Sequence, residues 1–336
     1  MAEKALPKGS LVLVTGINGY IGSHVADQLL SLGYRVRGTA RDSTKLAAIL
    51  KRLRQRNAAA EVEGLVVPDM QTAGAFKEAV KGADGVVHLA SDLSFNPDPN
   101  VTVTATVEGL RNALTAASSV PSVQRFVYTS SSIAAVKPTP NKQFQVDSNS
   151  WNEEDLKLAW APPPYEPSRA FSVYGASKVA SERLAWDFTK AVKFDFNTVL
   201  PNMNVGRILD PSQSASTAGW VKGLYDGDEG ASQILQGFPP QYYIDVEDCA
   251  LIHVAALLEP DVKDERLFAF ARPFNYHDLM ETLKQIDPSR TQYPPALNDN
   301  RDLSKVANGR ALELLKRYGR TDFKDLEISL KEQLLA

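Results

Sequence analysis

A tyrosine and a lysine four residues apart, in Tyr174-Gly175-Ala176-Ser177-Lys178, form the pair with the clearest chemical potential in this 336-residue chain. On a helix their side chains stand one turn apart on the same face. A nearby ammonium stabilises a phenolate and lowers a tyrosine pKa from its usual value of about 10, so the phenol could exchange a proton with a carbonyl or alcohol oxygen near neutral pH. The spacing alone is cheap. With 11 tyrosines present a chance match is unsurprising, and the alternative is a tyrosine packed in the core beside a solvated lysine. Context weights the pair: Arg125-Phe126-Val127-Tyr128-Thr129-Ser130-Ser131-Ser132 reads as a strand that ends in hydroxyls.

A second group of residues is suited to an anion. Val12-Leu13-Val14-Thr15-Gly16-Ile17-Asn18-Gly19-Tyr20-Ile21-Gly22 runs from an apolar strand through a glycine turn into a helix. Gly16 and Gly19 would let the backbone approach a pyrophosphate at the positive end of that helix, and Gly22 would let helix and strand pack closely. The spacing is G-x-x-G-x-x-G rather than G-x-G-x-x-G. After the second strand, Arg41 and then Lys45 stand where a dinucleotide site holding NAD carries an acidic residue. A guanidinium there suits the 2′-phosphate of NADP, although Asp42 adjoins it and a basic surface loop is the alternative. Asp69, followed by Met70, could meet the adenine amino group or be a turn residue.

The elements that must position these residues alternate. Strands are expected at Leu11–Thr15, Arg35–Thr39, Glu63–Val67, Gly85–Leu89, Arg125–Thr129 and Phe194–Leu200, with helices at Ile21–Leu32, Ser43–Arg56, Ala73–Val80, Val103–Ala117 and Tyr174–Ala191. That order predicts an α/β fold, a Rossmann doubly wound parallel sheet with a smaller, discontinuous C-terminal lobe. The expected division is 1–200 for dinucleotide binding, with 241–258 returning to it, and 201–336 mostly for substrate. The proline-rich stretch from Pro138 to Pro167 reads as a loop with little regular structure. Pocket walls are expected from Asp92, Leu93, Ser94 and Phe95 after the fourth strand, and from Trp220, Phe238 and Gln241. Each could instead be ordinary packing.

Composition excludes several classes. A hydrophobic fraction of 43% with 23% charged residues is that of a globular chain, and a formal charge of −3 gives no reason to expect nucleic acid or an anionic membrane. The basic run Lys51-Arg52-Leu53-Arg54-Gln55-Arg56 reads as a solvated helix face. No apolar stretch approaches the roughly 20 residues of a membrane span. One cysteine, Cys249, cannot form an internal disulfide and fits a cytoplasmic setting. His24, His88, His253 and His277 are scattered and suggest no metal site.

Taken together, TGINGYIG, HLAS at His88–Ser91, YTSSS, YGASK and PNMNVG at Pro201–Gly206 resemble the extended short-chain dehydrogenase/reductase superfamily. The longer texts VRGTARD, LPNMNVGR and PPQYYIDVEDCALIHVAAL resemble its fungal carbonyl and aldehyde reductases, the group of the methylglyoxal reductases, related to dihydroflavonol reductases. The resemblance runs nearly end to end. It implies NADPH-dependent reduction of aldehydes, ketones or ketoesters, with a small carbonyl compound as partner and a monomeric or homodimeric protein. Ser131 would bond the substrate carbonyl, Tyr174 donate the proton, and Lys178 lower the tyrosine pKa while holding the nicotinamide ribose. Asn18, Tyr20, Ile21, Ala90, Pro201 and Asn202 would complete the NADP(H) site. Two other readings remain at this level: an NAD-dependent nucleotide-sugar epimerase or dehydratase on the same scaffold, and a non-catalytic NADP sensor.

Overall fold

The computed structural model describes residues 3–59, 61–211, 213, 217–290 and 293–335. Its strands are β1 (Leu11–Thr15), β2 (Arg35–Ala40), β3 (Val62–Val66), β4 (Gly85–His88), β5 (Arg125–Thr129), β6 (Gln145–Val146), β7 (Asp195–Pro201), β8 (Met203–Val205), β9 (Gln241–Asp245), β10 (Arg266–Ala269), β11 (Arg272–Phe274) and β12 (Lys305–Val306). The helices are α1 (Tyr20–Ser31), α2 (Ser43–Arg56), α3 (Pro99–Ser118), α4 (Ser132–Ala135), α5 (Glu153–Ala159), α6 (Ala170–Thr189), α7 (Thr217–Asp226), α8 (Glu229–Gly237), α9 (Val246–Leu258), α10 (Tyr276–Ile286), α11 (Gly309–Arg317) and α12 (Leu326–Leu334).

Seven strands form one sheet in the order β10-β7-β5-β4-β1-β2-β3, with every pairing parallel. Parallel strands covered on both faces read as continuous apolar runs, and β1, β4 and β5 are buried at every position. One face carries α9, whose residues are buried except Glu247. Apolar on all sides, it behaves as a core helix rather than an amphipathic one. The orphan carbonyls at its C-terminal end are met by the buried Arg125, which donates to Ala256, Leu257 and Glu259 oxygens at 2.9, 3.1 and 3.0 Å. Against the other face lie α3 and α6.

The doubly wound parallel sheet agrees with the sequence reading, and most elements agree within two residues. Four expectations need correction, one of them the Tyr174 helix, which begins at Ala170 and ends at Thr189. Ala73–Val80 is a series of turns, because Gly74 and Gly82 take φ of +76° and +68° and Lys77 N–H closes on Gly74 O in a three-residue step. The Val103 helix begins four residues earlier, where Asp98 caps it by accepting from Asn100 N–H and Pro99 takes the first turn. The stretch 138–167 is not all loop. It holds β6, paired with β12, and α5, capped by the Asn152 side chain.

The strand order reverses between β1 and β4, and it is at such a switch point, beyond the carboxyl ends, that open α/β sheets bind ligands. Here β1 and β4 are latched. Thr15 Oγ1 accepts from the Leu89 and Ala90 amides at 3.0 and 3.1 Å, so its own proton goes to His88 Nδ1 at 3.0 Å. Burial pulls the His88 pKa down to about 3, which keeps the ring neutral. Beyond the sheet, β8, β9 and β11 make a three-stranded sheet beside α7, α8, α10 and α12.

Candidate active site

The glycine turn after β1 stands at this switch point. Gly16 has φ +68°, and a Cβ there would lie 3.1 Å from Ala90 N. At Gly22 a Cβ would come within 2.4 Å of Gly16 O, a backbone atom that cannot swing away. Gly19 N–H donates to Gly16 O at 2.9 Å and is the extended residue that opens α1. The Ser91 hydroxyl, one residue past Ala90, is buried with no hydrogen-bond partner among the described residues. A cradle that admits only glycine, at a helix N-terminus beside an orphaned hydroxyl, fits a dinucleotide.

The other residues expected around a cofactor take varied positions. Arg41 is exposed after β2. Asp42 is occupied as the cap of α2, accepting from Lys45 N–H at 2.7 Å, so its carboxylate has a structural task. Asp69 accepts from Gln71 N–H and Thr72 Oγ1, and Met70 is packed beneath Gly109 of α3. Tyr20 is buried, its hydroxyl donating to Gly206 O at 2.7 Å, so any contact it makes with a ligand is not through that group. Asn202 Oδ1 accepts from Met203 N–H at 2.8 Å.

Ser131, Tyr174 and Lys178 converge from β5 and α6. Ser131 is the second residue past β5, after Ser130, and caps α4. Tyr174 and Lys178 lie on α6, which α5 buttresses closely at this turn: a Cβ on Gly175 would meet Asp155 Oδ2 at 2.9 Å, and Asp155 accepts from Ser172 Oγ at 2.8 Å. Lys178 is buried; its Nζ donates to Thr129 O at 3.3 Å and lies 6.0 Å from the centre of the Tyr174 ring. Burial pulls the Lys178 pKa down to about 8, with Glu182 opposing the fall. The Tyr174 phenol is pushed above its ordinary value by burial, and a hydrogen bond with Ser131 works the other way. The lysine was expected to lower the phenol pKa. In this geometry burial outweighs the opposing Ser131 hydrogen bond, and the phenol pKa lies above its ordinary value.

Four aromatic rings continue from Tyr174. Phe95 lies 5.2 Å from it, Phe171 5.3 Å from Phe95, Phe238 5.5 Å from Phe171 and Trp220 5.1 Å from Phe238. Phe95 holds a φ of +51°, strained for an aromatic residue and of the kind found at ligand sites. Phe95, Trp220 and Phe238 are expected from the sequence; Phe171 is not. The signal was present: Phe171 precedes Tyr174 by three residues, one turn of the same helix face. Gln241 begins β9 and shares a small hollow with Phe238 and Phe274. A cleft of about 790 Å³ is lined by Pro211, Gln213, Trp220, Gly223, Asp228 and Gln333; it shares Trp220 with the aromatic run, and neither Ser131 nor Tyr174 lines it. Among the described residues no group of metal-binding side chains occurs, and no helix is long and apolar enough to cross a membrane.

Residues 12–269 match the model of the NAD dependent epimerase/dehydratase family. The chain is 42% identical over 331 residues to aldehyde reductase 2 of Sporidiobolus salmonicolor, covering 97% of this chain and 96% of that one. It is 40% identical over 337 residues to an NAD-dependent epimerase/dehydratase of Aspergillus terreus, covering 99% of each. Among solved structures, Gre2 of Candida albicans in complex with NADPH superposes with a TM-score of 0.80 at 24% identity, covering 97% of this chain and 98% of that one.

Proposed function

The chain belongs to the NAD dependent epimerase/dehydratase family, and from that membership we propose that it reduces aldehydes, ketones or ketoesters to alcohols with NADPH. The observation that carries the reading is the convergence of Ser131, Tyr174 and Lys178 beside a glycine cradle that a Cβ would fill.

Gly16, Asn18, Gly19 and Ile21 would hold the cofactor pyrophosphate, and Arg41 with Lys45 the 2′-phosphate. Asp69 and Met70 would lie against the adenine, and Ala90, Pro201 and Asn202 against the nicotinamide half. When bound, NADPH supplies the hydride. The protein supplies the rest. Ser131 donates a hydrogen bond to the carbonyl oxygen and orients it toward Tyr174. The buried phenol, still protonated at neutral pH, gives that oxygen its proton as negative charge develops there. Lys178, held by Thr129 O, places a positive charge beside the phenolate that results.

NADPH oxidation measured over a panel of aldehydes, diketones and ketoesters, and repeated with NADH, tests activity and cofactor together. Turnover with NADPH exceeding that with NADH is expected. Arg41→Ala should cut the ratio of the two kcat/KM values about 100-fold, the loss of one charge-assisted phosphate contact. An unchanged ratio would assign Arg41 to the bare surface. The name of the Aspergillus terreus relative favours a second reading, epimerisation or dehydration with resident NAD. Protein that retains NAD through purification and ignores NADPH would support it.

The aromatic run from Phe95 to Trp220 supports substrates with an aryl or other flat apolar substituent. Phe171→Ala should raise KM for aryl ketones about fivefold and leave short aliphatic aldehydes within about twofold, because only the former would stack on the lost ring. An equal loss on both classes would mean that Phe171 only braces α6. A single thiol, Cys249, buried in α9, supports a reducing, cytoplasmic compartment.

A further inference from the structure

Carboxylates are almost never fully buried unless paired, and Glu182 is fully buried without a part in the chemistry derived above. It follows Lys178 by one helical turn on α6. Its Oε2 accepts from Ser130 Oγ at 2.6 Å, and its Oε1 accepts from Arg266 Nε at 2.7 Å, Thr198 Oγ1 at 3.1 Å and Trp186 Nε1 at 3.2 Å. Donors from the β5 tip, β7, β10 and α6 therefore close on one anion. Arg266, itself buried, lies 4.0 Å from the centre of the Trp151 ring.

Stability is a weak reason to retain such a pair, because replacing a buried ion pair with apolar residues is often neutral or favourable. Its place is more telling. Ser130 directly precedes Ser131, and Lys178 lies one turn from Glu182 on the helix that carries Tyr174. We propose that Glu182 is a positioning residue for the reductase centre: its carboxylate pins the β5 tip to α6, fixing Ser131 against Tyr174, and is the counter-charge that keeps Lys178 an ammonium ion. This rests on the carbonyl reductase reading.

The groups around Lys178 leave that task to Glu182. From β5, Tyr128 places its ring 5.5 Å from Nζ, and its buried phenol, pushed well above the ordinary range, carries no charge. From β4 comes His88, held neutral. From α9, His253 reaches the site only through Thr129, whose Oγ1 lies 2.9 Å from its Nε2; burial keeps this ring neutral too. From α6 itself, Tyr174 is a protonated phenol. Arg266 on β10 is engaged with Glu182. Burial lowers the Lys178 pKa and Glu182 raises it. The ammonium is present below that pKa and lost as pH rises through it, so removing the anion moves the loss to lower pH.

The test compares kcat/KM against pH for wild type, Glu182→Gln and Glu182→Asp, between about pH 6 and 9.5, with NADPH affinity followed by fluorescence titration over the same range. Wild type should lose activity above about pH 8 as Lys178 deprotonates. Glu182→Gln should move that fall about one pH unit lower, in activity and in NADPH affinity alike. Glu182→Asp, which keeps the charge but withdraws it from Ser130, should keep the wild-type fall while kcat drops about tenfold. If Glu182→Gln does not fold, the double variant Glu182→Gln with Arg266→Met removes both charges and should still move the fall to lower pH, by less, because loss of the Arg266 cation offsets part of the lost anion. A Gln variant, single or double, that loses activity equally at every pH overturns the proposal and leaves Glu182 a structural residue. Wild type without NADPH-dependent turnover would instead sink the reductase reading beneath it.

Discussion

Tyr174→Phe is expected to lower kcat about 1,000-fold while NADPH affinity stays within about threefold of wild type, since a positioned general acid contributes on that order. The substitution removes one oxygen and keeps the ring. The contact with Phe95 at 5.2 Å and the position of α6 should therefore survive, and thermal unfolding should change little. What disappears is the proton. Burial holds the phenol protonated through neutral pH, whereas the Ser131 hydroxyl is far too weak an acid to replace it. Lys178 cannot substitute directly, because its Nζ is turned to Thr129 O. Single-turnover measurements with saturating NADPH separate the chemical step from binding. Turnover within about threefold of wild type would remove Tyr174 as the proton donor and with it the mechanism.

The legible parts of this fold were those specified by local chemistry. The strand Arg125–Thr129 and the helix Ser43–Arg56 sit where the sequence predicts them, because an apolar run and an Asp42 cap act on adjacent residues. Asp98-Pro99 carried an equally local start signal for α3, which the apolar period from Val103 onward obscured. The expected helix at Ala73–Val80 fails at Gly74: one left-handed residue near its start, with another at Gly82 just past its end, bounds a run whose apolar spacing still looks helical. In the site, Tyr174, Lys178 and the serine-tipped strand were visible as text. Their consequences were not. How the lysine and the serine act on the phenol depends on where each side chain points, and Nζ is held by a carbonyl on another strand. Glu182 was invisible for the same reason. In sequence it is an ordinary helical glutamate, and only the meeting of β5, β7 and β10 on it turns it into a buried anion.

Gly22→Ala is the second change with a large expected effect, and its cause is a single distance. The new Cβ would lie 2.4 Å from Gly16 O and 3.1 Å from Gly16 C, both backbone atoms, so neither can be moved by changing a rotamer. Either α1 lifts away from β1 or the turn deforms. Gly16 has little room to yield, because its own φ is +68° and Ala90 lies just beyond it. Overpacking of this kind costs about 1–3 kcal/mol, which for a domain of this size lowers Tm by a few degrees. The larger loss should be in binding. Displacing the first turn of α1 moves the amides that face the pyrophosphate, and NADPH affinity should fall at least about 30-fold. Gly33→Ala is the matched control. Gly33 follows the other end of the same helix, has a positive φ (+86°) that Gly22 lacks, and has nothing within 4 Å of the new methyl. It should cost about 1 kcal/mol through backbone strain alone and leave NADPH affinity unchanged. Equal stability losses with divergent affinities would assign the binding to the turn itself. A Gly22→Ala protein that binds NADPH as tightly as wild type would show that the glycine cradle serves only the packing of α1 on β1.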